Sequence, residues 1–280
     1  MITRCYLELT NRCNLNCLFC PKTSRKAHQL SYEEFQSLTD KLKGKVKFLY
    51  FHLMGEPFLH PLLPQFISLA REKGFIPILT TNGTLLKDAE AVLKARPHKV
   101  QISLQAHEGN AGGNPEAYIA QVMHFALRAA QEGIIIVLRL WNEGSSHNTQ
   151  NEQIRQLLAI HVPAPWMLRP DGWKLAENVY LEADATFEWP DRDRAPYGES
   201  EAFCHALRNQ IGILVDGTVV PCCLDSQGAI NLGNLHHHTL DEILQSPRAR
   251  RLYESFTHHR TCEPLCKTCG YALITKKFRK

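Results

Sequence analysis

The segment Glu8-Leu9-Thr10-Asn11-Arg12-Cys13-Asn14-Leu15-Asn16-Cys17-Leu18-Phe19-Cys20 sets three cysteines in a loop that directly follows the strand-like run 5–9. In a parallel α/β sheet such a loop lies at the carboxyl ends of the strands, the rim on which these folds place their chemistry. Thiolates spaced as Cys13-x3-Cys17-x2-Cys20 suit three irons of a [4Fe-4S] cubane, and no fourth cysteine lies nearby to close the last iron. An iron left open can bind a substrate. A zinc knuckle is the competing reading, although zinc takes four ligands and the nearest histidine, His28, would need an unusual loop to serve.

Downstream of this loop, short apolar runs alternate with amphipathic stretches. Ser31-Tyr32-Glu33-Glu34 has the spacing of a capping box and predicts a helix to about Lys43. Strands are expected at 46–53, 75–80, 99–104, 134–140 and 179–182, with helices at 61–73, 85–94, 116–131 and 151–160 between them. Residues 134–140 are so apolar that both faces must be covered. About six β/α units result, which predicts a parallel sheet or open barrel, a partial (β/α)6 arrangement. Past Leu181 the chain turns to the charged, proline-containing stretch 187–196, read as a connection. Residues 211–215, Asp216-Gly217 and 218–222 then read as a hairpin, and 240–253 as one helix. The predicted organisation is a catalytic unit at 1–182, a connection at 183–203 and a small α+β unit at 204–280.

The 280 residues are 44% hydrophobic and 21% charged, which supports a large core and argues against a mostly disordered chain. A net charge of +4, without a long basic run, gives no reason to expect a nucleic acid or an anionic membrane as partner. The N-terminus lacks a secretory pattern and no window is long and apolar enough to span a bilayer, so a cytoplasmic protein is expected. In that reducing compartment ten cysteines are better explained as metal ligands than as disulfides. After Cys20 none occurs until Cys204, which is followed by Cys222, Cys223, Cys262, Cys266 and Cys269. Cys5, alone in the first strand, is expected to be a buried small hydrophobe.

The first loop resembles the CxxxCxxC loop of the radical S-adenosylmethionine (SAM) superfamily, with that family's aromatic residue at Phe19 before the third cysteine. The resemblance implies that Cys13, Cys17 and Cys20 hold a [4Fe-4S] cluster whose open iron chelates SAM. Met54-Gly55-Glu56-Pro57 resembles the family's GGEP motif, which implies that Gly55 and Glu56 receive the SAM ammonium; Met54 replaces the first glycine. Thr80-Thr81-Asn82-Gly83 ends the third strand as in relatives and makes Asn82 a further SAM-binding candidate. Ile102-Ser103-Leu104-Gln105 resembles the "ISLD" strand, with Ser103 a SAM contact and Gln105 in place of an acid, and Arg139 is placed like the arginine that pairs with the SAM carboxylate. Each has a plainer reading: Glu56 as a helix cap, Ser103 as a strand residue, Arg139 as the partner of a structural acid. His52, two residues before Met54, and Gln105 are candidates for the substrate pocket.

Cys204-x12-Gly217-x4-Cys222 with Cys266-x2-Cys269 is similar to the shortened "twitch" form of the SPASM auxiliary domain. That similarity implies one further [4Fe-4S] cluster on Cys204, Cys222, Cys266 and Cys269; a four-cysteine zinc site is the alternative. Strand alternation is expected to turn Cys223 away from this site, and Cys262 is either spare or a ligand in place of another cysteine. The resemblance implies an enzyme that cleaves SAM reductively to a 5′-deoxyadenosyl radical and abstracts hydrogen, with flavodoxin or ferredoxin as electron donor. A small organic substrate is favoured, because only twelve residues precede Cys13, too few for a peptide-recognition domain. Dehydrogenation, C–N cleavage and rearrangement all remain open. So do a queuine-type deazapurine lyase, a peptide- or protein-modifying maturase, and a non-enzymatic zinc-binding module.

Overall fold

Along the central strands every second residue is fully buried and apolar: Cys5 and Leu7, Leu49 and Phe51, Val100 and Ile102, Ile136 and Leu138, Val179 and Leu181. The opposite face is richer in polar and aromatic residues, among them Tyr6, Tyr50, Thr80, Gln101, Arg139 and Glu182. Since strand side chains alternate between faces, one face is sealed under helices and the other carries chemistry. The computed structural model describes residues 2–110, 113–146, 148–197 and 204–272.

In chain order the elements are β1 (Arg4–Leu7), α1 (Tyr32–Leu42), β2 (Phe48–Phe51), α2 (Leu63–Glu72), β3 (Ile76–Thr81), α3 (Glu90–Ala95), β4 (Lys99–Ser103), α4 (Pro115–Gln131), β5 (Ile135–Glu143) and α5 (Asn151–His161). There follow β6 (Met167–Arg169), β7 (Gly172–Ala176), β8 (Val179–Ala185), β9 (Gln210–Ile213), β10 (Thr218–Val220), β11 (Gly233–Asn234), α6 (Leu240–Leu244) and α7 (Pro247–Thr257). The strands form one sheet in the order β11-β10-β9-β1-β2-β3-β4-β5-β8-β7-β6. From β9 to β8 every neighbour is parallel, whereas β10 and β11 at one end and β7 and β6 at the other are antiparallel. Three strands separate β1 from β5, about 19 Å across a flat sheet, yet the Arg139 guanidinium on β5 acts electrostatically on Tyr6 of β1. The sheet therefore curls into a partial barrel whose polar face is its interior.

The expected α/β fold with six parallel β/α strands is present, as β1, β2, β3, β4, β5 and β8. The capping box forms: Ser31 Oγ accepts from Glu34 N, and the Glu34 carboxylate accepts from Ser31 N. Three expectations are corrected. The hairpin β6–β7 interrupts what reads as a simple crossover, because its short, half-exposed strands lack an apolar alternation. The expected helix at 85–94 begins only at Glu90, after a turn. The single helix expected at 240–253 is two, since Pro247 cannot continue α6 and instead opens α7, capped by Ser246.

The hairpin β9–β10 turns at Asp216-Gly217 as expected, with Gly217 at φ +83°. Its first strand pairs in parallel with β1, so the chain after the connection continues the same sheet. Part of that connection, 198–203, and the terminal 273–280 lie outside the described residues. No described helix is long and apolar enough to cross a membrane.

Candidate functional site

Cys13, Cys17 and Cys20 lie in the loop beyond the carboxyl end of β1. Leu18 N donates to Gly109 O (3.1 Å) and Asn16 N to Asn110 Oδ1 (2.7 Å), which ties this loop to the one after β4. The two segments touch so closely that a Cβ on Gly109 would stand 2.6 Å from the Phe19 ring and would have to displace it. Each sulfur accepts an N–H: Cys13 from Leu15 N (3.5 Å), Cys17 from Asn110 Nδ2 (3.0 Å), Cys20 from Lys22 N (3.4 Å). Donors of this kind stabilise thiolate charge, and the three thiols act electrostatically on one another. The donor set fits a three-thiolate iron–sulfur site. Asn110 was not foreseen, because nothing in its local sequence reports a partner 93 residues away.

Beside this loop stands Glu56, 2% exposed. Its carboxylate accepts from Asn82 N (2.8 Å) and from Phe58 N (3.0 Å), the second bond capping a single 3₁₀ turn. The capping role and a place next to the cysteine loop thus coexist in one residue. Burial raises its pKa to about 7 against those N–H donors, so a cationic partner is needed to favour its charged form. Gly55, at φ +79°, lets the backbone pass Thr10 O, which a Cβ would meet at 2.2 Å. Asn82 Nδ2 donates to Asn14 Oδ1 (3.0 Å) and reaches Cys13 Sγ at 3.9 Å. Glu56, Asn82 and Cys13 therefore form one connected set.

Ser103 and Arg139 are register partners across β4 and β5, and Arg139 faces Glu182 on β8. Its Nε lies 3.9 Å from Glu182 Oε2, beyond a direct hydrogen bond, and the guanidinium stacks 4.0 Å over Trp141. The plainer expectation, a structural acid as partner, is met only in part, since Nε stays buried with no hydrogen-bond partner. Burial lowers the Arg139 pKa to about 10, so it remains a cation at neutral pH. Deeper in the barrel His52 packs edge-on against Tyr6 (5.3 Å), which stacks on Tyr50 (4.8 Å). Burial first, and Arg139 second, depress the His52 pKa to about 3 and keep it neutral, with Nδ1 lacking a partner. Gln105 is buried at the rim just past β4 with Oε1 likewise unpartnered.

The second group converges over a larger sequence span. Burial raises the Cys222 thiol far above its ordinary pKa, and Cys204, Cys223, Cys269 and Cys266 add to the effect, which places these sulfurs in one neighbourhood. Cys204 is pushed up to about 11 by burial and by Cys269. Such buried, mutually repelling thiols fit a closed four-cysteine site that deprotonates on binding metal. Among the described residues no three His, Cys, Asp or Glu side chains stand as close as the ligands of a single metal ion do. Cys223 faces Tyr6, which hydrogen-bonds to it, yet it also senses Cys204 and Cys269. Strand alternation does not account for its direction, because β10 ends at Val220. Cys262 lies beside Cys266 and against Arg251 O (3.9 Å).

A residue to which the sequence assigns no role joins the two groups. Glu8, fully buried, takes both Arg25 guanidinium nitrogens (2.6 and 2.8 Å), and accepts from Met54 N (3.1 Å) and Val215 N (2.9 Å). One carboxylate thus fixes the segment after Cys20, the end of β2 and the β9–β10 hairpin.

Family models describe residues 7–141 as radical SAM superfamily and 204–270 as an iron-sulfur cluster-binding domain of SPASM type. A probable GTP 3′,8-cyclase of Methanococcus maripaludis is 31% identical over 294 residues, 93% of this chain and 95% of its own. The first curated relatives are matched over only 24, 19 and 23% of their length. In fold the chain is similar to BtrN in complex with AdoMet and 2-DOIA (TM-score 0.62, 19% identity, 96% of this chain and 93% of that one). It is also similar to anSMEcpe with bound AdoMet and a Cp18Cys peptide (TM-score 0.64, 14% identity, 96% and 89%). With three thiols on the rim, Glu56 beside them and a second thiol group gathered from the C-terminal part, the chain belongs to the radical SAM superfamily and carries a SPASM iron–sulfur domain.

Proposed function

We propose that this radical SAM enzyme abstracts hydrogen from a small polar organic substrate held inside the barrel. The observation that carries the reading is the single connected set of Cys13, Asn82 and Glu56 at the rim, opening onto the interior lined by Tyr6, Tyr50, His52 and Arg139. Cys13, Cys17 and Cys20 would hold the SAM-binding [4Fe-4S] cluster, and Cys204, Cys222, Cys266 and Cys269 an auxiliary one. When bound, the first cluster supplies the electron that splits SAM into methionine and a 5′-deoxyadenosyl radical.

The chain's own residues bind and orient. Glu56 receives the SAM ammonium through a charge-assisted hydrogen bond, with Gly55 giving backbone access. Arg139, whose Nε makes no hydrogen bond and only a 3.9 Å ion pair with Glu182, takes the SAM carboxylate, with Ser103 beside it in register. Asn82 holds Glu56 and Cys13 together, and Phe19 wedges the loop against Gly109. Neutral His52 and Gln105 offer unpaired atoms to a substrate. An interior lined by Tyr6, Tyr50, neutral His52 and Arg139 suits a small polar molecule. On this reading 1–182 is the catalytic unit, 183–203 the connection and 204–280 the cluster unit, with a flavodoxin or ferredoxin as donor.

The test is anaerobic reconstitution followed by SAM and dithionite, reading 5′-deoxyadenosine. Formation that rises several-fold with one of a panel of aminocyclitols, purine nucleotides or deazapurines supports the proposal. Stimulation by peptides alone would move it to a maturase.

A further inference from the structure

Charge is distributed unevenly along this chain. Residues 247–280 hold nine of the 32 Lys and Arg but only two of the 28 Asp and Glu, so a chain of net charge +4 carries +7 in its last 34 residues and −3 before them. In the described part of this segment the excess is gathered on α7 and the turn that follows. Arg250, Arg251, Arg260 and Lys267 are all exposed, with Glu254 the one exposed acid among them. Arg250, Arg260 and Lys267 make no ion pair among the described residues, while Arg248 and Arg251 share one carboxylate, Glu263, and so leave a positive charge over.

This basic face lies on the second thiol group. Glu263, gripped by Arg248 Nη2 at 2.8 Å, accepts on its backbone oxygen from Cys266 N (3.0 Å) and thereby ties α7 to the Cys266-x2-Cys269 turn. Lys267 stands between those two cysteines in sequence, and Arg251 O meets Cys262 Sγ at 3.9 Å. On its other side α7 meets Arg208, which stacks on Tyr253 and whose charge acts on Cys204. The helix therefore straddles the site with cations on both flanks, over a length of about 16 Å.

We propose that α7 and the 260–267 turn form the docking surface for a small acidic electron-transfer protein, which delivers electrons at the auxiliary cluster. The inference rests on the proposed ligand set of that cluster. In each encounter the partner would lose one electron, and the cluster held by these thiolates would gain it and pass it on to the cluster on Cys13, Cys17 and Cys20, where SAM is reduced. A cationic ring around the entry point serves this function specifically, since electrostatic attraction speeds and orients encounter with an acidic partner without making the complex permanent. A polyanion such as RNA would also be attracted, but would gain nothing from the patch lying on the thiols.

The experiment uses the full reconstituted chain and flavodoxin as the probe. Binding of oxidised flavodoxin is measured by flavin anisotropy at low and moderate salt, for the wild type, the double variant Arg250→Glu/Arg260→Glu and its charge-keeping control Arg250→Lys/Arg260→Lys. Neither residue belongs to the proposed catalytic set. The proposal expects Kd to weaken about tenfold in the reversed variant and in raised salt, and to be kept in the control. SAM cleavage driven by reduced flavodoxin should slow in parallel, while cleavage driven by dithionite and the iron content stay at wild-type values. An unchanged flavodoxin Kd overturns the docking surface, as does equal slowing with both reductants. The binding measurement needs no turnover, so a wild type inactive with dithionite would count against the catalytic reading alone.

Discussion

The two cysteine groups solve opposite problems. Cys13, Cys17 and Cys20 share one short loop, Cys13 is solvent-exposed, and each sulfur meets an N–H donor. Cys204, Cys222, Cys266 and Cys269 come from three separate segments; burial raises the thiols of both groups, but here it carries Cys204 to about 11 and Cys222 and Cys266 far above the ordinary thiol value. A site that must admit a second ligand keeps its thiols at the rim and stabilises their charge with hydrogen bonds. A site that is closed can sit in the core, where its assembly is coupled to the folding of the segments it joins.

The sharpest break of this contrast is the triple replacement of Cys13, Cys17 and Cys20 by Ala. Reductive SAM cleavage should vanish, and iron should fall from about eight to about four per chain. Cleavage that survives would sink the assignment. Cys266→Ala/Cys269→Ala is the converse: about four irons remain, SAM is still split by dithionite without product, and limited proteolysis opens the C-terminal segment. A triple variant holding one zinc and no iron would assign the second group to zinc.

Glu8→Gln tests whether the groups depend on each other. It leaves the Arg25 guanidinium, paired at 2.6 Å, without its counter-charge, and should cost about 3 kcal/mol of unfolding free energy. Loosening near Arg25 with the β9–β10 hairpin still protected from hydrogen exchange would show that the groups are independent.

Glu56→Gln has a smaller effect, about tenfold in SAM affinity or roughly 1.4 kcal/mol. Because burial raises the Glu56 pKa to about 7, the sign with pH is fixed. The unliganded fold binds this proton more tightly than the unfolded chain does, so its stability falls as pH rises from the ordinary carboxylate range through about 7. SAM binding runs the other way, strengthening as pH rises through about 7 and the carboxylate forms. Calorimetry on the Gln variant should lack both of these contributions; a wild-type affinity flat between pH 6 and 8 would remove Glu56 from the SAM site. Least of all should Cys223→Ala matter: iron stays near eight, and only the partner of the Tyr6 hydroxyl is lost.

The sequence carried the rim loop plainly, because three thiols at fixed spacing leave few alternatives, and it carried the Ser31 cap and the Asp216-Gly217 turn, whose signals are local. It did not carry the parallel pairing of β9 on β1, whose register partners Arg4 and Gln210 share no local pattern. The same holds for Asn110 on Cys17 and for Glu8, which reads as one more acid before a motif. The break between α6 and α7 does have a local signal, Ser246-Pro247, since a proline cannot continue one helix but can open the next. What a sequence hides here is long-range polar pairing.

The parallel pairing of β9 on β1 also sets a timetable for synthesis. β1 is made first, yet the strand that covers its outer edge follows about 200 residues later, a delay of roughly ten to forty seconds at ordinary rates of translation. Throughout that interval the nascent chain exposes a row of unpaired backbone donors and acceptors beside its oxygen-sensitive thiol loop, the kind of edge on which chains aggregate. The last quarter of the protein is thus the cover that makes the first quarter safe to release, and truncation before residue 210 should yield insoluble chains even with every rim residue intact.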